Sequence, residues 1–272
     1  MPSVTLNHRA ILLIGGGDAE EFLQRIVTAD LTKLDDVSAM PCALLSPQGK
    51  VLHEFLISRG DEAFRIDVSR AFLPDLARRL MLYRLHAAVT FDPKPSAIVR
   101  AVWNENAPFR DTRFPVDTSR SYERGDDTAS LDDWTRHRIA NGVAEIGTDY
   151  GADALFPHDV SLAQNGGVAV RKGCYVGQEV VSRMHHRGTG RRRVAIVRGE
   201  DLPAPGTPIE ANDRPIGTLG SGIDGTGLAV VRIDRAGEAL ESGHGIRAGD
   251  TPVTLDVPPG ADWSFLSVDA AE

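Results

Sequence analysis

The chain has 272 residues, of which 42% are hydrophobic and 25% are charged. This composition is typical of a globular protein with room for two or three subdomains. The net charge of −8 argues against an extended nucleic-acid surface, which needs a basic face. No apolar run reaches the roughly 18 to 20 residues of a membrane span, and the N-terminus shows no basic region followed by an apolar core. We therefore expect a cytoplasmic protein with no membrane association.

The first elements read as a strand, a glycine turn and a helix. Residues 9–14 are apolar, Gly15-Gly16-Gly17 follow, and Asp18 is a natural N-cap for a helix over 19–28. This order invites a dinucleotide-binding interpretation, but Glu20 stands where the third glycine of that motif is needed. We assign these glycines no phosphate.

A small α+β unit follows. Residues 42–58 alternate apolar and polar positions around a turn at 47–50 and predict a hairpin. A strand over 63–68, a helix over 73–83 and a strand over 87–91 complete a split βαβ unit. The chain from 105 to 130 is rich in polar residues and predicts an exposed connection, and a helix follows around Trp134 and Arg138.

The stretch RKGCYVGQEVVSRMHHRGTGRRR, residues 171–193, carries the strongest chemical signal. Gly173 and Gly177 allow tight turns or close backbone approach, and the residues after Gly177 predict a short helix or strand. If it is a helix, Cys174 lies just before its positive end with Lys172 nearby, and both features favour the thiolate. The alternative is a small buried side chain, as most free cysteines are.

Other polar groups of this stretch have structural alternatives as well. Gln178 and Glu179 supply an amide and a carboxylate beside the thiol, but Glu179 and Arg183 are also spaced for a surface salt bridge on a helix. The adjacent His185 and His186 point apart in either a helix or a strand and make a poor metal site. The arginines after them either hold an anion or begin a solvated strand.

The two cysteines do not form a metal site. Cys42 and Cys174 are far apart in sequence and fit neither a disulfide framework nor a CxxC motif. If a metal or cluster is involved, this chain alone does not supply a full ligand set, so we assign it no metal site.

From Val194 onward, short apolar runs alternate with Gly, Pro and Asp turns at close spacing. The runs lie at 194–197, 208–210, 215–219, 227–233 and 252–256. This pattern predicts a small β-barrel or sandwich.

The run Lys172-Gly173-Cys174-Tyr175-x-Gly177-Gln178-Glu179-x-x-x-Arg183 resembles the signature of the YgfZ family. These are folate-binding proteins related to the aminomethyltransferase (T-protein) of the glycine cleavage system and linked to iron–sulfur cluster assembly. The adjoining His185-His186-x-Gly188 is most similar to the branch that includes mitochondrial members. The resemblance implies an α+β aminomethyltransferase fold over residues 1–192, with the split βαβ unit at about 42–100, and a C-terminal β-barrel over 193–272.

The resemblance also implies a function and its residues. It indicates an accessory protein for the assembly or maintenance of iron–sulfur clusters in client enzymes, with Cys174 as the reactive residue and Lys172 tuning its pKa. The rest of the motif would shape the loop or bind a partner or folate: Gly173, Tyr175, Gly177, Gln178, Glu179 and Arg183. The expected partners are the iron–sulfur assembly machinery or cluster-containing client enzymes.

The cofactor that the resemblance implies is tetrahydrofolate or a derivative. In the related T-protein an acid in the region of Asp159 helps to bind the pterin, since a carboxylate accepts two parallel N–H bonds from its edge. Asp159 is one methylene shorter than the glutamate that is usual in the family, and it equally suits a turn former after Pro157.

Two other functions remain open at the sequence level. One is a folate-dependent aminomethyltransferase, for which Asp75 lies near the catalytic aspartate of the T-protein. The asparagine that precedes that aspartate in the family has no counterpart here, and Asp75 equally suits the first turn of a helix. The other is a role in tRNA modification, either direct, through the arginines around 187–193, or indirect, through a cluster enzyme.

Overall fold

The structure is a computed structural model and describes residues 2–105, 107–188 and 190–265. It confirms the predicted α+β class. An extended sheet with helices forms the body of the molecule, and a closed barrel follows it.

The body is built on one nine-stranded sheet. Its strands are β1 (Ser3–Thr5), β2 (Arg9–Gly15), β3 (Ser38–Leu45), β4 (Val51–Arg59), β5 (Ala63–Ser69), β6 (Thr90–Lys94), β7 (Arg100–Trp103), β8 (Phe109–Asp111) and β9 (Thr118–Ser121). Their order across the sheet is β1-β7-β9-β8-β3-β4-β5-β2-β6. The β3–β8 pairing is parallel, and the other pairings among these strands are antiparallel.

Four helices accompany the sheet: α1 (Ala19–Ile26), α2 (Leu73–Tyr83), α3 (Leu131–Ala140) and α4 (Gln178–Arg187). A short 3-10 helix lies at Leu31–Lys33. The apolar faces of α1 and α2 pack in one core with β2, β4 and β5, as their helical spacing of apolar residues requires. Among the described residues, no helix combines the length and apolar character needed to cross a membrane.

The predicted split βαβ unit is present, with one strand displaced. The hairpin is β3–β4, and α2 has the predicted bounds. The strand predicted over 87–91 lies at Thr90–Lys94 instead, because the chain after α2 makes two further turns. The Asp18 carboxylate does not cap α1 but accepts a hydrogen bond from the Ala88 N–H at 2.7 Å, which ties these turns to the start of the helix.

The barrel contains β10 (Arg192–Arg198), β11 (Pro208–Ala211), β12 (Arg214–Ile223), β13 (Thr226–Arg232), β14 (Ile246–Ala248) and β15 (Thr251–Asp256). It closes in the order β10-β13-β12-β11-β14-β15. The sequence pattern missed β14, which is only three residues long, and helix α5 (Ile233–Glu241). The division of the chain at residues 192 and 193 stays a prediction.

The prediction of an exposed connection over 105–130 is wrong for the central part of that segment. Strands β8 and β9 join the sheet there, and Asp111, Arg113 and Arg120 are almost completely buried. Their polarity misled the prediction because charged residues are rarely buried unless they are paired.

These residues belong to a buried ion cluster at the centre of the body. Its members are Arg9, Glu54, Asp67, Asp111, Arg113, Arg120, Arg138, Glu145 and Asp149. Arg113 lies 2.9 Å from Asp111 and 3.3 Å from Glu54. Burial of one such charge without its partners would cost several kcal/mol, so the members of the cluster depend on one another.

Arg138 links this buried ion cluster to the barrel. Its guanidinium donates to Asp149, to the Val143 carbonyl at 2.7 Å and to Ser221 Oγ on β12 at 2.7 Å. Asp149 in turn accepts from the Ser221 N–H at 2.8 Å. The body and the barrel therefore share one buried hydrogen-bond network.

Replacement of Arg138 by Met should destabilise the protein by about 3 to 5 kcal/mol, because it leaves Asp149 buried without its cation. Arg136→Met is the matched control, since Arg136 lies on the same helix and pairs with Asp133 and Asp224 at the surface. Urea unfolding followed by circular dichroism measures both. Equal midpoints for the two variants would contradict a stabilising role for the buried network.

Candidate functional site

The predicted Cys174 loop, residues 171–177, leads directly into α4. The residues after Gly177 are helical, and Gly177 is the N-cap. Cys174 is exposed, whereas Cys42 is completely buried in β3. The interpretation of Cys174 as a buried structural side chain is therefore wrong. The accessible thiol stands four residues before the start of α4.

Lys172 anchors the Cys174 loop to the end of α1. Its ammonium donates to the carbonyls of Gln24 at 2.8 Å, Val27 at 2.6 Å and Ala29 at 2.6 Å. A cation is favourable at this end of a helix, where carbonyls lack partners. Burial lowers the pKa of Lys172 to about 8, an effect that the neighbouring Cys42 and Asp30 oppose.

Lys172 also acts electrostatically on the buried thiol of Cys42. Burial raises the pKa of Cys42, with hydrogen bonds from Ala29 and the charge of Lys172 acting in the opposite direction. The predicted tuning of Cys174 by Lys172 remains a prediction, and the contacts of the ammonium give it a positioning role in the loop.

Tyr175 and Gln178 close the Cys174 loop from within. The Tyr175 ring is buried in the core shared with Val181 and Val194, and the Lys172 ammonium lies 5.1 Å from its centroid. Burial raises the pKa of the Tyr175 hydroxyl. The Gln178 amide accepts from the Tyr175 N–H and donates to the Lys172 carbonyl, both at 3.3 Å. Cys174 is therefore exposed between two anchored residues of the loop, Lys172 and Tyr175.

Gly177 meets the turn of the β3–β4 hairpin. Its φ is +80°, and a Cβ there would lie 2.6 Å from the Ser46 carbonyl oxygen and 2.9 Å from Gly49 Cα. Only glycine fits this conformation and approach without displacement of the hairpin turn. A Cβ on Gly173 would meet no atom within 4 Å, so close approach explains Gly177 but not Gly173.

Glu179 and Arg183 lie on the exposed face of α4 and form an ion pair at 3.1 Å. This is the surface salt bridge that the helical spacing allowed. Such exposed pairs contribute little stability, and both side chains are accessible beside the Cys174 loop. Their predicted role in partner or folate binding stays a prediction.

Asp159 is buried, and its carboxylate stabilises the turn in which it lies. Its carboxylate accepts from the Phe156 N–H at 3.0 Å, while its own N–H donates to the Phe156 carbonyl. Burial raises the pKa of Asp159, which the Phe156 hydrogen bond and the nearby Arg192 and Arg193 oppose. This geometry matches the turn-former alternative for Asp159.

The residues present do not fit the expected pterin site. A pterin edge needs an accessible carboxylate, but Asp159 is buried and one of its oxygens already accepts a hydrogen bond from its own turn. Four surface clefts of about 400 to 520 Å³ are lined neither by Asp159 nor by the Cys174 loop. We therefore derive no chemical step through folate.

Asp75 is held as an anion by neighbouring cations. Hydrogen bonds from Arg79 and Arg78 lower its pKa to about 2, and His53 lies 3.1 Å away. The residue occupies the first turn of α2, as its alternative assignment proposed. Its partners are His53, Arg78 and Arg79, and none of them belongs to the Cys174 loop.

The sequence missed the buried partners of this region. Cys42 gave no motif signal, because its relation to Lys172 arises only when β3 and the Cys174 loop meet. His158 lies beside His185, with ring centroids 6.0 Å apart, and its two ring nitrogens have no hydrogen-bond partner among the described residues. Burial, with Arg193 and His185, lowers the pKa of His158 to about 4.

Comparison with known proteins identifies relatives of the barrel and of the whole fold. Residues 191–263 match the family model of the CAF17 C-terminal β-barrel domain. The glycine cleavage system aminomethyltransferase T from Bartonella henselae superposes with a TM-score of 0.74 at 14% identity, covering 98% of this chain and 88% of the other. The predicted aminomethyltransferase fold with a C-terminal barrel is therefore confirmed.

Among curated proteins the chain is similar to iron–sulfur cluster assembly factors. It is 28% identical to the human mitochondrial iron–sulfur cluster assembly factor IBA57, over 83% of this chain and 76% of the relative. The homolog from Pyricularia oryzae is 28% identical over 88% of this chain and 76% of the relative. The mouse protein is 26% identical over 95% and 84%.

The names of these relatives contradict the cytoplasmic prediction. The human, mouse and fungal proteins are all described as mitochondrial. The prediction relied on the lack of a recognisable targeting segment, and that lack says nothing of where the folded protein acts. The prediction of a cytoplasmic protein is therefore wrong.

Gly177→Ala should lower the free energy of unfolding by about 2 kcal/mol or more, because the new Cβ meets the hairpin turn and the backbone is left-handed. Gly173→Ala is the control and should unfold close to wild type. Denaturant melts measure both effects. A Gly177→Ala protein as stable as Gly173→Ala would show that the hairpin does not constrain the Cys174 loop.

Acid should destabilise the protein through His158. Its folded pKa of about 4 lies below the ordinary value of 6.5, so the unfolded chain binds more protons between these values and stability falls as the pH drops from 6.5 to 4. His158→Gln should reduce this fall in melting temperature by a few degrees, whereas substitution of the exposed His244 should not. An unchanged pH profile in His158→Gln would contradict the assignment.

Proposed function

We propose that this protein is an accessory factor for the assembly or maintenance of iron–sulfur clusters in client enzymes, and that it acts through Cys174. The observation that carries the proposal is the exposed thiol on a loop that Lys172, Tyr175 and Gly177 anchor. The similarity to iron–sulfur cluster assembly factors over most of the chain supports it.

The chemistry of the thiol suits this task. A cysteine thiolate is the usual protein ligand of iron in such clusters, and a cluster commonly takes four. One accessible Cys174 supplies one of them, so a partner from the assembly machinery or the client enzyme would supply the rest. An exposed position allows such a shared and transient contact, which a buried cysteine does not.

Anchoring of the Cys174 loop favours this contact energetically. Lys172 and Tyr175 fix the backbone on both sides of the thiol, so little conformational entropy is lost when a partner binds there. Glu179 and Arg183, exposed on the next helical turns, give the partner a polar rim. Lys172 positions the thiol, and Cys174 alone contacts the iron–sulfur cluster.

Binding of a reduced folate is a finer proposal that the YgfZ resemblance supports and the geometry of Asp159 does not. The same applies to aminomethyl transfer, because Asp75 is neutralised by two arginines. A tRNA-linked role would then be indirect, through a cluster-containing modifying enzyme. None of these is needed for the role proposed for Cys174.

The test is complementation of a strain that lacks this gene, with aconitase activity as the measurement. Wild type should restore activity, and Cys174→Ser should restore at most about one tenth of it, because the ligand thiol is lost. Cys42→Ala is the matched control: it removes the other, buried thiol and should keep most of the activity at an equal protein level.

Two results would contradict the proposal. If the deletion leaves cluster enzymes fully active, the cluster-related function is wrong. If Cys174→Ser restores as well as wild type, the thiol is not the acting group. Circular dichroism of the purified variants shows whether a loss of activity reflects unfolding.

A further inference from the structure

A cleft of about 520 Å³ opens between the barrel and the segment 149–155 of the body. This volume suits a small-molecule ligand. Three arginines of the barrel line it: Arg192, Arg232 and Arg235. The cleft contains neither Cys174 nor another residue of its loop, so it is separate from the site described above.

The strand register brings two of these arginines into direct opposition. Arg192 at the start of β10 pairs with Arg232 at the end of β13. Like charges directly opposite each other in an antiparallel pair repel and destabilise the sheet. Arg235 lies one helical turn further on, in the first turn of α5. The fold therefore concentrates positive charge in a protein whose net charge is −8.

Nearby carboxylates balance only part of this charge. Asp234 binds Arg232 at 2.6 Å and also lies 3.4 Å from Arg191, so one carboxylate is shared by two cations. Asp149 lines the cleft, but its carboxylate is bound to Arg138 and Ser221. Arg235 donates to the Pro215 carbonyl at 2.8 Å.

Arg192 is the cation with the least compensation. It forms no ion pair within the described ranges 2–105, 107–188 and 190–265. Its charge acts to lower the pKa of Asp159, whose carboxylate accepts a hydrogen bond from the Phe156 N–H. An exposed guanidinium beside a second arginine is suited to a bidentate contact with an oxyanion.

Apolar residues also line the cleft. Tyr150, Leu155, Ile216 and Val230 line it, and all are buried for most of their surface. A cleft lined by both cationic and apolar residues favours a ligand that has an anionic group and an organic body.

We propose that this cleft binds a small organic oxyanion, with Arg192, Arg232 and Arg235 around its phosphate or carboxylate group. Binding relieves the repulsion between Arg192 and Arg232, so the ligand stabilises the junction between β10 and β13. Phosphate and oligocarboxylate ligands share this chemistry, and the measurement distinguishes between them.

The test uses the full-length protein with pyrophosphate and with triglutamate as probes, each compared with sodium chloride at the same ionic strength. Isothermal titration and thermal unfolding measure binding. At least one probe should raise the melting temperature by several degrees more than the salt. The double variant Arg192→Gln, Arg235→Gln should bind it at least tenfold more weakly.

Arg198→Gln is the matched control. Arg198 is exposed on the same strand β10 and pairs with Asp256 outside the cleft, so its loss should leave binding unchanged. The probe that binds identifies the head group as phosphate or carboxylate. Equal weakening in the control and the double variant, or no binding of either probe, would overturn the proposal. So would binding of tRNA alone, which would make the arginines a nucleic-acid contact.

Discussion

The contact between the Lys172 ammonium and the last carbonyls of α1 determines how this protein presents its reactive residue. Three carbonyls within 2.8 Å take up one cation, so the helix end and the motif loop stabilise each other. The backbone of Cys174 thus lies two residues away from a half-buried anchor. An unanchored loop of glycines would present the same thiol in many orientations.

The other anchors tie this loop to the rest of the chain. Tyr175 packs in the core that also contains Val194 and Leu228 of the barrel, and Gly177 touches the β3–β4 turn. Behind that core, Arg138 and Asp149 join α3 to Ser221 of the barrel. The Cys174 loop thus depends on the first helix, the hairpin and the barrel together.

Local pattern was enough to predict much of the fold. Helix α2, the β3–β4 hairpin and the barrel runs follow from periodicity and turn residues, because each is stabilised by its own apolar face. Strands β8 and β9 were missed because their buried residues are charged, and only tertiary pairing makes burial of Asp111 and Arg120 possible. Three-residue strands such as β14 carry too few residues for any period to show.

Local sequence pattern also predicted part of the site. The motif identified the loop and the helix after it, since glycine spacing and helix formers are local signals. The partners of Lys172 lie more than 140 positions away in sequence, and the contact of Arg192 with Arg232 depends on strand register. Asp159 is the opposite case. Its sequence context allowed a ligand-binding role, but its short side chain accepts a hydrogen bond within its own turn.

The central claim is that anchoring of the Cys174 loop, and not the thiol alone, makes this protein function. The most direct measurement is aconitase activity in the deletion strain carrying Lys172→Met at the protein level of wild type, together with the rate of Cys174 alkylation in the purified variant. The account predicts that activity falls several-fold although Cys174 remains accessible to the reagent. Full activity in Lys172→Met would contradict it, because an unanchored thiol would then be sufficient.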